Sequence, residues 1–183
     1  MTAELDSALV EAVLDYACRR RTTGLYKLAD DLMKDREARG LLGFKYTPKL
    51  GAPDWWQGLN AVKQVVEKMA EAGLLKFRKD QGFIERNAKA CLGPADSPVV
   101  FLAITEQLCR NGVMPVRDLI EELMRIPAVA HVLGIPAAPE PNTPEWRRGF
   151  RLLMRTVRLL SETKMMSYLD DYQAVRWDLA PCV

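Results

Sequence analysis

The sequence predicts a mainly α-helical chain with small β-hairpins (an α+β class), built as two consecutive copies of one domain. A motif occurs twice at a spacing of 91 residues (144 − 53 = 91), as Pro53-Asp54-Trp55-Trp56-Gln57-Gly58-Leu59 and Pro144-Glu145-Trp146-Arg147-Arg148-Gly149-Phe150. Apolar residues recur at helical spacing before and through each motif. Two short β-like runs around a turn follow each motif. We therefore predict domains at residues 1–90 and 91–183, with a linker at about 87–98.

The chain opens with two predicted helices. Residues 4–21 carry apolar side chains at helical spacing and end in three arginines, whose charges suit the negative end of the helix dipole. Thr22-Thr23-Gly24 breaks this helix. A second amphipathic helix then runs from about residue 25 to residue 42, and Gly43 is a suitable C-cap.

A third helix and a hairpin complete the first copy. Residues 44–52 contain Pro and Gly without periodicity and are expected to form a loop. Pro53 suits the first turn of the third helix, and Gly73 ends it. The runs at residues 74–79 and 83–86 surround a Gly-containing turn and predict the hairpin.

The second half repeats this order without a gap. Apolar residues replace apolar residues at many positions, and residues 135–143 keep the length of the first inter-helix loop. Identical pairs at the same spacing include Cys18/Cys109, Leu28/Leu119, Met33/Met124, Gly58/Gly149 and Val66/Val157. Coincidence between two amphipathic segments would not preserve one register throughout, so we interpret the chain as a tandem duplication.

The charge balance limits how the chain could bind nucleic acid. Its 183 residues are 49% hydrophobic and 27% charged, and the formal net charge is +2. Residues 1–90 carry 16 basic and 13 acidic side chains, whereas residues 91–183 carry 10 and 11. A protein that coats nucleic acid indiscriminately is more basic than this, so any binding must use a local face.

The cysteines bear on metal binding and on location. Cys18, Cys91, Cys109 and Cys182 include no Cys-x-x-Cys pair, and His131 is the single histidine, so neither a metal site nor a cofactor is expected. Cys18 and Cys109 are equivalent in the repeat, so we predict small buried side chains in separate cores rather than a disulfide. Reducing cytoplasm is the expected compartment, with no signal segment and no contact with a membrane.

The order of three helices and a hairpin resembles the winged-helix superfamily, in which the hairpin is the wing. Two copies in one chain look like tandem winged-helix proteins, and the resemblance covers nearly the whole sequence. It implies that the third helix of each copy is of the recognition type. One departure is the loop before that helix, because residues 44–52 and 135–143 exceed the three or four residues of a usual helix-turn-helix.

The outer faces of the third helices carry the candidate nucleic-acid-binding residues. Gln and Asn can bond adenine in a major groove, and arginine suits phosphate or guanine. The first copy contributes Gln57, Asn60, Lys63, Gln64 and Lys68. The second copy contributes a basic stripe of Arg147, Arg148, Arg151, Arg155 and Arg158. The alternative interpretation is a solvated face without a ligand.

The predicted wings differ in charge. Lys76, Arg78 and Lys79 make the first wing basic, as contact with the phosphate backbone requires. The second wing reads Leu169-Asp170-Asp171-Tyr172, which phosphate would repel. The two domains are therefore not expected to bind DNA identically, and the second wing is a candidate for protein contact.

Three tryptophans lie at the starts of the third helices. Trp55 and Trp146 occupy the same repeat position and are predicted to anchor the cores, with stacking on single-stranded bases as the alternative. Trp56 has Arg147 as its counterpart and is expected to be the exposed aromatic residue.

Enzyme motifs are absent from the sequence. It has no Gly-rich phosphate loop, no Gly-x-Ser-x-Gly and no His-Glu-x-x-His. His131 lies near a helix end, where a surface or capping role is expected. The sequence therefore predicts no enzymatic activity.

Three functional hypotheses follow. The first is a sequence-specific duplex-DNA-binding protein, a transcriptional regulator or replication initiator associated with the nucleoid, whose two domains could read adjacent half-sites. The second is a protein–protein interaction scaffold, which the near-neutral charge and the acidic second wing favour. The third is a small phage- or plasmid-type inhibitor of a nucleic-acid enzyme. An exposed apolar strip would favour a protein partner.

Overall fold

A computed structural model of the chain describes residues 6–169, 173–179 and 182. Within these residues the chain is mainly helical and contains two antiparallel sheets of three short strands each. It divides into two compact units, residues 1–91 and 92–183, which are named unit 1 and unit 2.

Unit 1 combines helices with a small sheet. Its helices are α1 (Ser7–Ala17), α2 (Leu25–Lys34), α3 (Arg36–Leu41), α4 (Pro53–Glu71) and α5 (Ala88–Leu92), the last of which crosses the boundary between the units. Its strands are β1 (Thr22–Gly24), β2 (Leu75–Arg78) and β3 (Phe83–Arg86).

Unit 2 has the same order of elements after a short 3₁₀-helix at Gly93–Ala95. Its helices are α6 (Pro98–Asn111), α7 (Val116–Arg125), α8 (Pro127–Leu133) and α9 (Pro144–Glu162). Its strands are β4 (Val113–Pro115), β5 (Met166–Leu169) and β6 (Ala174–Trp177). From α6 to β6, each element begins 91 residues after its counterpart in unit 1.

Each sheet contains one strand that the sequence did not reveal. The strand orders are β1-β3-β2 and β4-β6-β5, so β1 and β4 extend the two predicted hairpins. The prediction of only a helix break at residues 22–24 is therefore incomplete. Three residues are too few to show the alternation by which a strand is recognised. A hydrogen bond of 2.8 Å from the Leu25 amide to the Gly82 carbonyl also ties the start of α2 to the hairpin turn.

The single second helix predicted for residues 25–42 is wrong, because Asp35 interrupts it. Asp35 is extended (φ −72°, ψ 129°), and its carboxylate accepts a hydrogen bond from the Ala38 amide at 2.9 Å, which caps α3. The Tyr16 hydroxyl donates to Asp35 at 3.0 Å, and burial together with this bond raises the pKa of Tyr16. In unit 2 the break falls at Ile126, because the following Pro127 disfavours a helical conformation there.

The predicted linker at residues 87–98 contains the boundary between the two units, but it is not an unstructured connection. This segment forms α5 and the 3₁₀-helix, and it contributes fully buried side chains at Cys91 and Ala95. Ala95 belongs to the apolar core of unit 2, together with Leu152 of α9. The segment therefore packs as part of the folded units, although its Pro, Gly and Ser content is typical of linkers.

The glycine of the repeated motif, Gly58 in unit 1 and Gly149 in unit 2, is closely packed against a methionine side chain. A Cβ atom at Gly58 would lie 2.4 Å from the Sδ of Met33, and one at Gly149 would lie 2.7 Å from the Sδ of Met124. Each glycine thus allows close packing of two helices, α4 on α2 in unit 1 and α9 on α7 in unit 2. Trp55 is 2% exposed, as predicted for a core anchor.

The prediction that Cys18 and Cys109 are buried without forming disulfides is wrong. Disulfides join Cys18 to Cys91 and Cys109 to Cys182, with Cα–Cα distances of 5.8 and 5.3 Å and a sequence separation of 73 residues in both. The sequence interpretation compared only Cys18 with Cys109, which indeed do not pair, whereas Cys91 and Cys182 are also equivalent in the repeat. The basis for placing the chain in a reducing compartment is therefore removed, since disulfides persist mainly in oxidising ones.

Candidate nucleic-acid interface

Apart from Trp56 in the first turn, the outer face of α4 is polar. Apolar residues at helical spacing, including Leu59, Val62, Val66 and Met69, are buried against the rest of unit 1. Their burial turns the opposite face to solvent. All five predicted residues on that face are exposed: Gln57, Asn60, Lys63, Gln64 and Lys68.

The β2–β3 hairpin adds exposed basic side chains, because strand alternation turns them outward. Leu75 of β2 is buried while Lys76 and Arg78 are exposed, and Lys79 is exposed in the turn. Arg78 lies 3.6 Å from Glu85 on the neighbouring strand. Lys79 lies 3.2 Å from Glu67, which connects the hairpin to α4. Such exposed pairs contribute little to stability, so these cations can also face an external anion.

The arginine stripe predicted on α9 does not form a continuous exposed surface. Arg155 is 4% exposed, so the prediction that it lies on an exposed face of α9 is wrong. Arg151 and Arg158 are half-buried, and each has an interaction within the chain. Arg147 and Arg148 remain exposed in the first turns of the helix.

The burial of Arg155 follows from a wider buried arc on α9 than on α4. Leu152, Arg155 and Leu159 are all buried, whereas the corresponding side of α4 carries the exposed Gln64 and Lys68. The 3₁₀-helix packs on this side of α9, where a Cβ atom at Gly93 would lie 3.7 Å from Leu152. The helical periodicity of α9 could not predict this packing, because the 3₁₀-helix belongs to another segment of the chain.

The acidic residues predicted in the second wing, Asp170-Asp171-Tyr172, lie outside the described residues. Asp178, which follows β6, accepts hydrogen bonds from the Ser167 hydroxyl and the Arg176 guanidinium. The bond from Ser167, followed by that from Arg176, lowers the pKa of the Asp178 carboxyl.

The tryptophans differ in exposure as the repeat predicts. Trp56 is 46% exposed and lies in the first turn of α4, on the same side as Asn60. Trp146 of unit 2 is half-buried, packs on its core and stacks on Phe150 with a ring-centroid distance of 4.8 Å. The guanidinium of Arg117 lies over the Trp146 ring, 5.8 Å from its centroid.

Sequence reasoning missed three exposed apolar residues of unit 1. Tyr26 is 58% exposed, Tyr46 is 72% exposed and Leu50 is 70% exposed. The available signal was the repeat itself, because their counterparts Arg117, Ala137 and Pro141 differ in character.

Unit 2 contains a cleft of about 230 Å³ beside Trp146. Three charged side chains, Glu121, Arg125 and Glu140, line part of it, but Glu121 already accepts a hydrogen bond from Arg117 and Arg125 donates one to Glu122. His131, expected at a helix end, is exposed in the last turn of α8.

Comparisons with family models, with curated proteins and with solved structures gave no match for this chain. Within the described residues, no helix is both long and apolar enough to cross a bilayer. Over the same part of the chain, no three His, Cys, Asp or Glu side chains are grouped as metal ligands would be.

Proposed function

We propose that the chain is a tandem winged-helix protein, formed by duplication, that binds duplex DNA mainly through unit 1. In this proposal α4 enters the major groove and the β2–β3 hairpin follows the phosphate backbone. The observation that supports it most is the exposed polar face of α4, which continues into the exposed cations of the hairpin. A role in transcription regulation or replication initiation fits such binding.

The side chains on α4 divide into two chemical classes. Asn60 and Gln64 have amides that can bond a base edge, and adenine offers the matching donor and acceptor. Lys63 and Lys68 flank them and suit phosphate oxygens. Glu67 lies on the same side of the helix, and its ion pair with Lys79 reduces the repulsion that phosphate would feel.

Unit 2 has a smaller role in this proposal. Arg147 and Arg148 are exposed and can contact phosphate, whereas Arg155 is buried. The second unit would therefore add affinity without much sequence discrimination, because phosphate contacts carry no direct sequence information.

The test is fluorescence anisotropy of a labelled duplex at several salt concentrations, with the parent chain and Lys63→Ala/Lys68→Ala. We expect the variant to bind every duplex more weakly. Its slope of log affinity against log salt should fall by about 1 per lysine removed, because each phosphate contact releases counterions.

The matched control is Arg110→Ala/Arg125→Ala, which removes the same charge from two exposed residues that pair with Glu106 and Glu122. We expect this control to keep the parent salt slope. Absence of duplex binding by the parent chain at low salt, or an equal loss in both variants, would contradict the proposal.

A second candidate function is protein interaction through unit 2. Leu102 of α6 is 70% exposed, Val99 is 38% exposed and Val113 of β4 is 50% exposed. The corresponding residues of unit 1 are Glu11, Ala8 and Thr22, so the same element order does not require apolar residues there. If duplex binding fails, Leu102→Glu is the variant with which to test a captured protein partner.

A further inference from the structure

One set of exposed side chains in unit 1, at the starts of α2 and α4 and in the loop before α4, combines aromatic rings with lysines. It consists of Tyr26 at the start of α2, Trp56 at the start of α4, and Lys45, Tyr46, Lys49 and Leu50 in the loop that leads into α4. We call it the aromatic–lysine surface. All six side chains are exposed.

The Trp56 ring of this surface is held in place by contacts within unit 1 but remains 46% exposed to solvent. The Trp56 indole donates a hydrogen bond of 3.2 Å to the Gly51 carbonyl. Trp56 meets Trp55 edge-on at 5.0 Å between ring centroids and meets Tyr26 edge-on at 6.2 Å. A ring fixed by these contacts loses little conformational entropy when a flat ligand stacks on it.

The loop is also anchored to the unit between its exposed residues. The Arg39 guanidinium donates a hydrogen bond of 2.6 Å to the Thr47 hydroxyl, and Pro48 is buried. Tyr46 and Leu50 lie on either side of this anchor and still point to solvent, with 72% and 70% exposure. The loop therefore presents them on a defined backbone.

Unit 2 provides an internal comparison that separates folding from binding. The six corresponding residues are Arg117, Pro136, Ala137, Glu140, Pro141 and Arg147. Unit 2 forms the same helices and strands at the same spacing without aromatic rings or lysines at these positions. This element order therefore does not require the aromatic rings or lysines of unit 1 at these positions.

We propose that the aromatic–lysine surface binds unpaired nucleobases of single-stranded nucleic acid. Bases stack on aromatic rings irrespective of sequence, and lysines attract the phosphates between them. Lys45 and Lys49 supply the positive charge, whereas the corresponding unit 2 residues, Pro136 and Glu140, do not. An anionic ligand with flat rings matches both features.

The position of Trp56 also indicates which form of DNA would bind most tightly. Trp56 lies one turn before Asn60 on the outer side of α4, so a strand leaving a duplex bound along α4 would meet the ring. The preferred ligand is then a duplex with a single-stranded extension. This last step rests on the proposed duplex binding by α4, whereas single-strand binding does not.

The experiment compares three labelled DNAs: a blunt duplex, the same duplex with a single-stranded extension, and the single strand. Trp56→Ala/Tyr46→Ala is tested beside Lys63→Ala/Lys68→Ala, and Leu179→Ala in unit 2 serves as the control, because Leu179 is 47% exposed and Trp56 is 46% exposed. Thermal unfolding confirms that each variant is folded. If Trp56→Ala disturbs folding, Tyr46→Ala alone replaces the double variant.

We expect Trp56→Ala/Tyr46→Ala to lose at least tenfold in affinity for the single strand and the extended duplex, because the variant removes two rings on which bases can stack. Its affinity for the blunt duplex should change less than twofold.

Single-strand binding that depends on Trp56, in a protein that does not bind the blunt duplex, would refute the proposed function and support this inference. Duplex binding with unchanged single-strand affinity in the variant would refute this inference alone. A shift from dimer to monomer in the variant, without a change in DNA affinity, would also refute it and assign the surface to a second copy of the chain.

Discussion

At the scale of single residues, the two motif glycines permit contacts that no larger residue allows. A Cβ atom at Gly149 would lie 2.7 Å from both Met124 Sδ and Ile135 Cδ1. Both neighbours are almost fully buried, so neither can move without disturbing the core. The same contact recurs at Gly58, where Met33 Sδ would lie at 2.4 Å.

We therefore expect Gly149→Ala to lower the free energy of unfolding of unit 2 by about 1 kcal/mol. Overpacking costs about 1–3 kcal/mol, and the better helix propensity of alanine offsets up to about 1 kcal/mol of it. Urea unfolding measures the change. The control is Gly40→Ala in α3, where a Cβ atom would meet open space, so that variant should be as stable as the parent or more so. If both variants are equally stable, the Met124 side chain can move away from the added methyl group at little cost in free energy.

At the scale of elements, α4 and α9 share a length and a starting motif but bury different arcs. The polar face of α4 is open, whereas α9 buries Arg155 within a second stripe of apolar neighbours. A buried arginine contributes through the packing of its aliphatic stem as well as through its charge. Arg155 is thus part of the fold of unit 2 rather than of a binding face.

This distinction predicts opposite effects for two arginines of α9. Arg155→Ala should lower the free energy of unfolding by about 2 kcal/mol, because the change leaves a void and removes the interaction that Arg155 makes within the chain. Arg147→Ala, at an exposed position, should change stability by less than about 0.5 kcal/mol and should weaken binding to duplex DNA instead. Chemical unfolding and anisotropy, measured on both variants, separate these outcomes. If Arg155→Ala is as stable as the parent chain but binds DNA more weakly, the result would support the original prediction that Arg155 contacts nucleic acid.

At the scale of the whole molecule, each unit closes its own disulfide over a separation of 73 residues. Cys18 is 3% exposed and Cys91 is fully buried, whereas Cys182 is exposed. In both units the bond ties the end of the first helix to a segment that follows the last strand. Such cross-links stabilise a fold mainly by restricting the unfolded chain.

We expect the unfolded, unreduced protein to show no free thiols in a colorimetric titration. Replacing both cysteines of one pair by alanine should cost about 4 kcal/mol for a loop of this length. Mild reductant should open Cys109–Cys182 before Cys18–Cys91, because reductant reaches the exposed Cys182 more readily; peptide mapping of trapped thiols identifies the order. Four thiols in the unreduced protein would contradict the disulfides.

The sequence by itself determined what depends on near neighbours along the chain. Apolar periodicity and the Pro start gave the extent of α4 and the exposure of Asn60, Lys63 and Gln64, because a helix repeats its geometry every few residues. Their binding to DNA stays a prediction. The constant spacing of 91 residues likewise anticipated equal starting positions for the elements of both units.

Only the tertiary structure decided the features that involve distant segments. The strand at Thr22–Gly24 exists because β3, about sixty residues later, pairs with it. Cys18 bonds to Cys91 because α5 lies beside the end of α1, which the spacing of the cysteines did not show. The segment at Gly93–Ala95 packs against Leu152 of α9, and Arg155, three residues further along the same side of the helix, is buried. Periodicity within one element reports which face is apolar, but burial of a charged residue depends on what the rest of the chain places against it.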